Sequence, residues 1–382
     1  MIYFDNAATT FPKPESVRRA ALIAMRSYGS SGRGGHPVAA RTSEAVYSAR
    51  EKIADFFGAE PENTVFTLNC THALNMAIQG VMSGGGHLII SGMEHNSAAR
   101  PAFRMAEDGR ISLSVAQVYP EDERTIESFR SLIRRDTKAI VCLIASNVTG
   151  QIMPYREIGR LCRERGICFI ADGAQACGIM EIKLDDGINI LCTAGHKGLY
   201  GMTGTGLLIS DGRFPIKPII QGGTGNNSQS LEQPELLPES LESGTLAVTG
   251  IISMKAGVEF IEKTGLDRIY RHETNMCQLL IGGLKNSGVI IYRHPAAEYL
   301  PIVSFNIPGI PSERGAEMLG EKGYCLRAGY QCSALAHAAL GTETGVIRFS
   351  PSAFSKGDDV LRLARDVREI AGKFDKNLSF SG

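Results

Sequence analysis

Short runs of consecutive apolar residues alternate along this chain with longer stretches in which apolar residues recur at helical spacing. The first pattern belongs to strands buried on both faces, the second to helices with one apolar stripe. Strands are predicted at Val65-Phe66-Thr67-Leu68, Leu88-Ile89-Ile90-Ser91, Leu113 to Val118, Ala139 to Ala145, Cys168-Phe169-Ile170-Ala171, Asn189-Ile190-Leu191-Cys192 and Gly206 to Ser210. Val17, Ala21, Ala24 and Met25 predict a helix that begins at Pro14 and stops at Gly29, and Val46, Ile53, Phe56 and Phe57 a second that ends near Gly58. Leu74, Ala77, Ile78 and Val81 predict a third, with others around Ile126 to Arg134 and Tyr155 to Arg165. Alternation of this kind argues for an α/β fold with a mainly parallel sheet covered by helices.

Beyond Ser210 the stretch GGTGNNSQSLEQPELLPES has no period and reads as a long loop at a subunit interface. Helical patterns from Ile251 to Ile261 and Leu266 to Leu284 then lead into a smaller α+β unit. Its strands are expected at Val289 to Tyr292, Ile302 to Ile307 and Tyr324 to Arg327, with a helix over Glu313 to Lys322. The expected organisation is an N-terminal arm (1–15), a large domain (16–256) and a small C-terminal domain (257–382).

Composition narrows the function classes. Acidic and basic residues balance at 40 each, and no basic stripe suggests nucleic acid as a partner. No run has the length of a membrane span, and MIYFDNAATT has neither the charged start nor the apolar core of a signal peptide, so a cytoplasmic chain is expected. Nine cysteines are scattered without CxxC pairs, which points to reduced thiols and no metal site. Cys142, Cys168 and Cys192 sit inside apolar runs, where cysteine behaves as a small hydrophobe.

The chemistry-bearing residues gather where the predicted strands end. Asp172 closes the run Cys168 to Ala171, at the edge where open α/β sheets bind ligands. Lys197 follows another strand, inside TAGHKGLYGMTGTG. A lysine that forms a Schiff base and an acid that pairs with a pyridinium nitrogen are what pyridoxal 5'-phosphate asks of a protein. Thr71 stands like a helix N-cap, and a helix N-terminus is a ready phosphate seat. His95 lies at the mouth of a strand, either as a polar cap or as a proton-transfer group. Cys332 lies in a small-residue loop, GYQCSALAHAALGTETG, with little apolar content to bury it. The planar fork of Arg348 suits a carboxylate.

ADGAQACG followed by AGHKGLYGMTGTG resembles the cysteine desulfurase branch of the class V, fold-type I pyridoxal phosphate enzymes. The likeness runs from YFDNAATT to RAGYQCSALAHAALGTETGVIRFS, nearly the whole chain. The resemblance implies a fold-type I transferase and a homodimer. Lys197 would carry the cofactor, Asp172 its pyridine nitrogen, and His95 would stack on its ring. Asn147 would meet the phenolic oxygen or the substrate carboxylate, and Gln175 the same phenolic oxygen. The phosphate would be held by Thr71, less directly by His72, and by Thr245 reaching across the dimer.

One departure affects that phosphate set: where the family often has a hydroxyl residue, this chain has Ala194, so either Thr193 substitutes or His196 and Thr71 carry more of the phosphate. Asn6, Ala7, Arg327 and Arg348 would face the substrate, with Arg348 on its α-carboxylate. Arg33 and His36 either approach the cofactor or are solvated.

The implied activity converts L-cysteine, or L-selenocysteine, to alanine and leaves a persulfide on Cys332 for a sulfur-acceptor protein. A class V aminotransferase, another β-lyase or a selenocysteine lyase would share the cofactor residues. A cofactor-binding scaffold or sulfur carrier without turnover is a further alternative.

Overall fold

The computed structural model describes residues 1–31, 35–224, 229–342 and 344–378. In chain order the first half comprises β1 (Ile2–Tyr3), α1 (Glu15–Ser27), α2 (Pro37–Phe57), β2 (Thr64–Thr67), α3 (Cys70–Val81), β3 (His87–Ser91), α4 (Asn96–Glu107), β4 (Ser112–Ala116), α5 (Asp122–Leu132), β5 (Thr137–Leu143) and α6 (Tyr155–Arg165). The second half comprises β6 (Cys168–Asp172), β7 (Ile190–Ala194), β8 (Gly206–Ser210), α7 (Val248–Thr264), α8 (Leu266–Leu284), β9 (Ile290–Ile291), β10 (Val303–Asn306), α9 (Ser312–Glu321), β11 (Tyr324–Cys325), α10 (Ala334–Leu340), β12 (Ile347–Phe349) and α11 (Gly357–Leu378).

Seven strands form one sheet in the order β2-β8-β7-β6-β5-β3-β4. All its pairings are parallel except the two made by β8. The near-continuous apolar strands follow from burial on both faces. Ile89, Ile140, Phe169 and Leu191 enter one core with α2, α6 and α7, while Leu88, Val141, Ile170 and Ile190 enter another with α3 and α4. This is the two-residue alternation of a strand resolved into two apolar layers. A third core joins Phe4 of the arm to α8, α11 and the antiparallel sheet β12-β10-β9.

The expected boundary at 256/257 falls inside the continuous helix α7, which packs on α1 and α2. The change of core comes instead along α8, where Ile269 belongs to the first cluster and Met276 to the third. Among the described residues, no helix is long and apolar enough to cross a membrane.

Three helices exceed the sequence expectation. α4 and α10 bury mainly small side chains, Ala98, Ala99 and Ala102 in one and Ala336 in the other, so few large apolar residues mark them. α11 packs Val360, Leu363, Ala364 and Val367 against the small-unit core.

The fold holds the Lys197 turn by contacts that only glycine allows. A Cβ on Gly198 would lie 2.3 Å from the carbonyl oxygen of Cys177, and one on Gly257 of α7 would lie 2.0 Å from that of Leu199. Neither neighbour is a flexible side chain. Gly257→Ala should therefore force α7 away from the lysine turn and cost about 1–3 kcal/mol or more, as overpacking does. Urea unfolding of the purified variant measures this; an unchanged midpoint and slope would show that the turn can yield.

Candidate active site

The carboxyl ends of β3, β5, β6 and β7, with the loop from β2 to α3, open into one cleft of ≈ 490 Å³. Its walls include Cys70, Thr71, His95, Asn147, Asp172, Gln175, His196 and Lys197. Asp172 ends β6 and is buried; its Oδ1 accepts from the Ala174 amide at 2.9 Å and from the Cys70 thiol at 3.5 Å. Lys197 lies in the turn after β7, with its amine set deep beside the cleft. Removal from water lowers its pKa, against the opposing pull of Asp172 and Cys70, and Arg348 and Arg327 lower it further. A larger neutral fraction makes that amine a nucleophile and a base.

At the N-terminus of α3 the cap is Asn69, not Thr71: the Asn69 side chain accepts from the His72 amide at 2.8 Å. Thr71 is thus one residue inside the helix and exposed on the cleft wall, where amides of the first turn face the same space. His72 folds back, with Nδ1 accepting from the Leu68 amide at 3.2 Å. Its Nε2 is a buried atom without a partner, as is Nδ1 of His196 on the cleft wall. Burial, then Lys197 and Lys13, push the His196 pKa down to about 4, so its ring is neutral.

Thr193 requires a correction. It is fully buried in β7 and its hydroxyl donates to the Gly173 carbonyl at 3.3 Å, away from the cleft. Neighbouring side chains of a strand point to opposite faces, so Ala194 takes the cleft-facing position and Thr193 cannot replace the missing hydroxyl.

His95 caps α4 and also lines the cleft. Its Nδ1 lies 2.7 Å from the Ser97 hydroxyl and accepts from the Ser97 amide at 3.1 Å, which assigns the proton of the neutral ring to Nε2. Burial lowers its pKa, partly opposed by Asp172.

The preceding residue, Glu94, was missed as a functional group although it stands beside the histidine in the sequence. It is wholly buried, and its Oε1 takes the Ser91 hydroxyl at 2.5 Å and the Leu143 amide at 2.8 Å. Burial raises its pKa to about 8, with Asp172 adding to the rise. Glu94 thus staples β3 to β5 as a protonated acid at neutral pH.

Asn147 is committed to the cysteine-bearing turn. Its amide donates to the Gln331 carbonyl at 2.7 Å and its Oδ1 accepts from the Ser333 hydroxyl at 2.7 Å. Gln331 in turn reaches the Val346 carbonyl at 2.9 Å and His337 Nε2 at 3.0 Å. These anchors hold Gln331 and Cys332 at φ 43 and φ 58, a left-handed pair that L-residues rarely adopt. Of the nine cysteines only Cys332 is exposed; its carbonyl accepts from the Asn96 amide at 2.8 Å at the start of α4.

A second, narrow cavity shares Lys197 and Gln175 with the first and is lined by Asn6 and Ala7. The polar ends of Asn6 are spent on Ser350 O and the Phe11 amide, so it shapes that wall rather than offering a free group. Gln175 donates to Ala7 O at 3.1 Å.

Arg348 is buried, pairing with Asp5 at 2.9 Å and donating to Asn147 O at 2.8 Å, with Nε left unpartnered. It lies within electrostatic reach of Lys197 but lines neither cavity. Arg327 is exposed and meets Arg348 only through backbone pairing. Thr245 is exposed in a separate surface cleft with Tyr47 and Arg50, and does not line its own chain's active cleft. His36 caps α2, its Nδ1 accepting from Ala39, while Arg33 lies outside the described residues. No group of His, Cys, Asp and Glu among the described residues is arranged to hold a metal ion.

The chain belongs to the aminotransferase class-V family, which matches residues 2–363 and whose enzymes depend on pyridoxal phosphate. It is 30% identical to a probable cysteine desulfurase of Methanothermobacter thermautotrophicus, across 97% of this chain and 95% of that one. It is 28% identical to a probable cysteine desulfurase of Halalkalibacterium halodurans, across 98% and 94%. The apo structure of cysteine desulfurase from Thermococcus onnurineus NA1 superposes with a TM-score of 0.91 at 28% identity, covering 97% of this chain and 95% of that chain. The expected fold class is therefore borne out, and the mostly parallel sheet with its flanking helices is the family's.

Glu94 gives a measurable pH signature. The folded chain keeps a proton that the unfolded chain has lost, so stability falls as pH rises from about 4.5 to about 8 and is level above that. Over that window the loss from this group is on the order of 5 kcal/mol. Glu94→Gln should flatten this part of the profile in urea unfolding between pH 5 and 9. An equally steep fall in the variant would place the proton elsewhere.

Proposed function

We propose that the protein is a homodimeric, pyridoxal phosphate-dependent cysteine desulfurase that converts L-cysteine to L-alanine and passes the sulfur to Cys332. The observation that carries this reading, as against an aminotransferase, is the exposure of Cys332 on a groove that meets the cleft at His95. Seven of the other cysteines are buried, and burial raises the pKa of Cys142, Cys168 and Cys192, away from the thiolate that attack on sulfur requires.

The cleft fits the cofactor in its donor set: an amine with a lowered pKa, a carboxylate at the strand end, a helix N-terminus, and His196 Nδ1 buried without a partner. Lys197 would carry the cofactor, Asp172 its ring nitrogen, and Thr71 and His196 its phosphate, with Thr245 of a second copy completing the phosphate site. Bound there, pyridoxal phosphate supplies an electron sink for charge developing beside the amino group of an amino acid.

This chain's residues do the rest. The Lys197 amine takes the α-proton and returns one, and His95, held by Ser97, offers Nε2–H to the substrate side. Arg348 is the cation for the α-carboxylate, which either meets the free Nε or displaces Asp5. The Cys332 thiolate attacks the substrate sulfur, forming an S–S bond as the C–S bond breaks. That electron pair stays on carbon and takes a proton, so alanine leaves and Cys332 holds the persulfide. A reduced, cytoplasmic setting suits such a thiol, and a protein acceptor would collect the sulfur.

Borohydride reduction of the yellow holoenzyme should fix the pyridoxyl group on the Lys197 peptide alone; label on another lysine would refute the site. Cys332→Ser should retain the cofactor yet lose sulfide release almost completely, because a hydroxyl is a weak nucleophile at neutral pH. Normal alanine formation from cysteine by that variant would remove Cys332 from the mechanism. Thr245→Ala should weaken cofactor retention with the fold intact, and a fully active monomer in sedimentation would contradict the shared site.

A further inference from the structure

Cys332 opens outward as well as toward the cleft. A groove of ≈ 920 Å³ begins at Cys332, His95 and Ser97 and runs between α3 and α4 to Arg110. Near the cleft its wall also carries Thr71 and Asn96, and beyond them its polar lining is Asn75, Gln79, Arg100, Arg104 and Arg110, with no acidic side chain. Arg104 shares its charge with Asp108 at 2.9 Å and Glu107 at 3.9 Å, whereas Arg100 and Arg110 have no carboxylate partner among the described residues. In a chain with no net charge, two exposed unpaired guanidinium groups beside the exposed thiol are a local positive field.

The groove is long as well as basic. The Asn96 amide is bonded to the Cys332 carbonyl, so the thiol stands at the first turn of α4, and Arg110 follows its last turn. That is roughly 20 Å at the α-helical rise of about 1.5 Å per residue. A small thiol bound at Cys332 would leave Arg110 untouched. An extended peptide of roughly six residues would cover the whole length.

Resting on the desulfurase reading above, we propose that this groove is the docking surface for an acidic protein segment whose thiol collects sulfur from Cys332. Arg100 and Arg110 attract its carboxylates. The thiolate attacks the outer sulfur of the Cys332 persulfide, a new S–S bond forms on the acceptor, the old one breaks, and Cys332 leaves as a thiolate. No oxidant or reductant is consumed, and the enzyme is returned ready for the next cysteine.

The test uses holoenzyme loaded with radiolabelled sulfur from cysteine, then freed of substrate. Transfer is timed to a cysteine followed by five alternating glutamates and aspartates, to the matching glutamine–asparagine peptide, to glutathione and to dithiothreitol. The acidic peptide should be at least tenfold faster than the neutral one at low salt, and the advantage should vanish at high salt. Arg100→Gln with Arg110→Gln should abolish the advantage while transfer to dithiothreitol is unchanged, and Lys at both positions should restore most of it.

Equal rates for the two peptides, an advantage untouched in the Gln variant, or glutathione matching the acidic peptide would overturn the proposal. So would a change of oligomeric state in the Gln variant, which would make the groove a face between copies. Failure to load sulfur on Cys332 at all would instead refute the desulfurase reading.

Discussion

Taking a lysine amine out of water without a carboxylate in contact is unfavourable, and the active cleft depends on its being done at Lys197. The backbone imposes that position. Gly198 and Gly257 press the turn against the carbonyl oxygens of Cys177 and Leu199, closer than any side chain permits. From the other side the carbonyl of His196 receives the Thr10 amide at 3.1 Å, the hydroxyls of Thr9 and Thr10 at 3.1 and 3.2 Å, and Lys13 Nζ at 2.7 Å. The same arm continues through Asp5 to Arg348 and through Ala7 to the Ser350 hydroxyl. The lysine turn and Arg348 of the small unit are thereby joined through the first residues of the chain.

Asn147 makes a comparable link on the opposite side of the cleft. Its side chain lines the space that a cofactor would fill, yet both its polar ends are bonded to the turn that carries Cys332. The left-handed backbone of Gln331 and Cys332 is costly in isolation and persists because Asn147, Val346 and His337 over-determine it. Cys332 held this way is exposed without being loose.

The sheet was legible because its strands are uninterrupted apolar runs ending in polar residues, and Asp172, His95, Asn147 and Lys197 all lie just past such ends. Helices built on alanine were not: α4 and α10 bury mainly small side chains, so few large apolar residues mark them. Asn69 and Thr71 are both capping types, and only geometry assigns the N-cap of α3 to Asn69. Thr193 looked available by proximity to Lys197, but strand alternation turns it away. The ties of Asp5 to Arg348 and of Asn147 to the Cys332 turn join residues 343 and 184–186 positions apart, which no local pattern could show.

The central claim is that the buried amine at Lys197 and the exposed thiol at Cys332 act on the same cysteine molecule. It is tested most directly by mixing cofactor-loaded protein with L-cysteine in the absence of reductant, then quantifying alanine and mapping alkylation-trapped persulfide by mass spectrometry in the same samples. The account predicts a burst of one alanine per chain, matched by one added sulfur on the Cys332 peptide and on no other. Alanine formed without sulfur at Cys332, or persulfide on a buried cysteine such as Cys142, would contradict it.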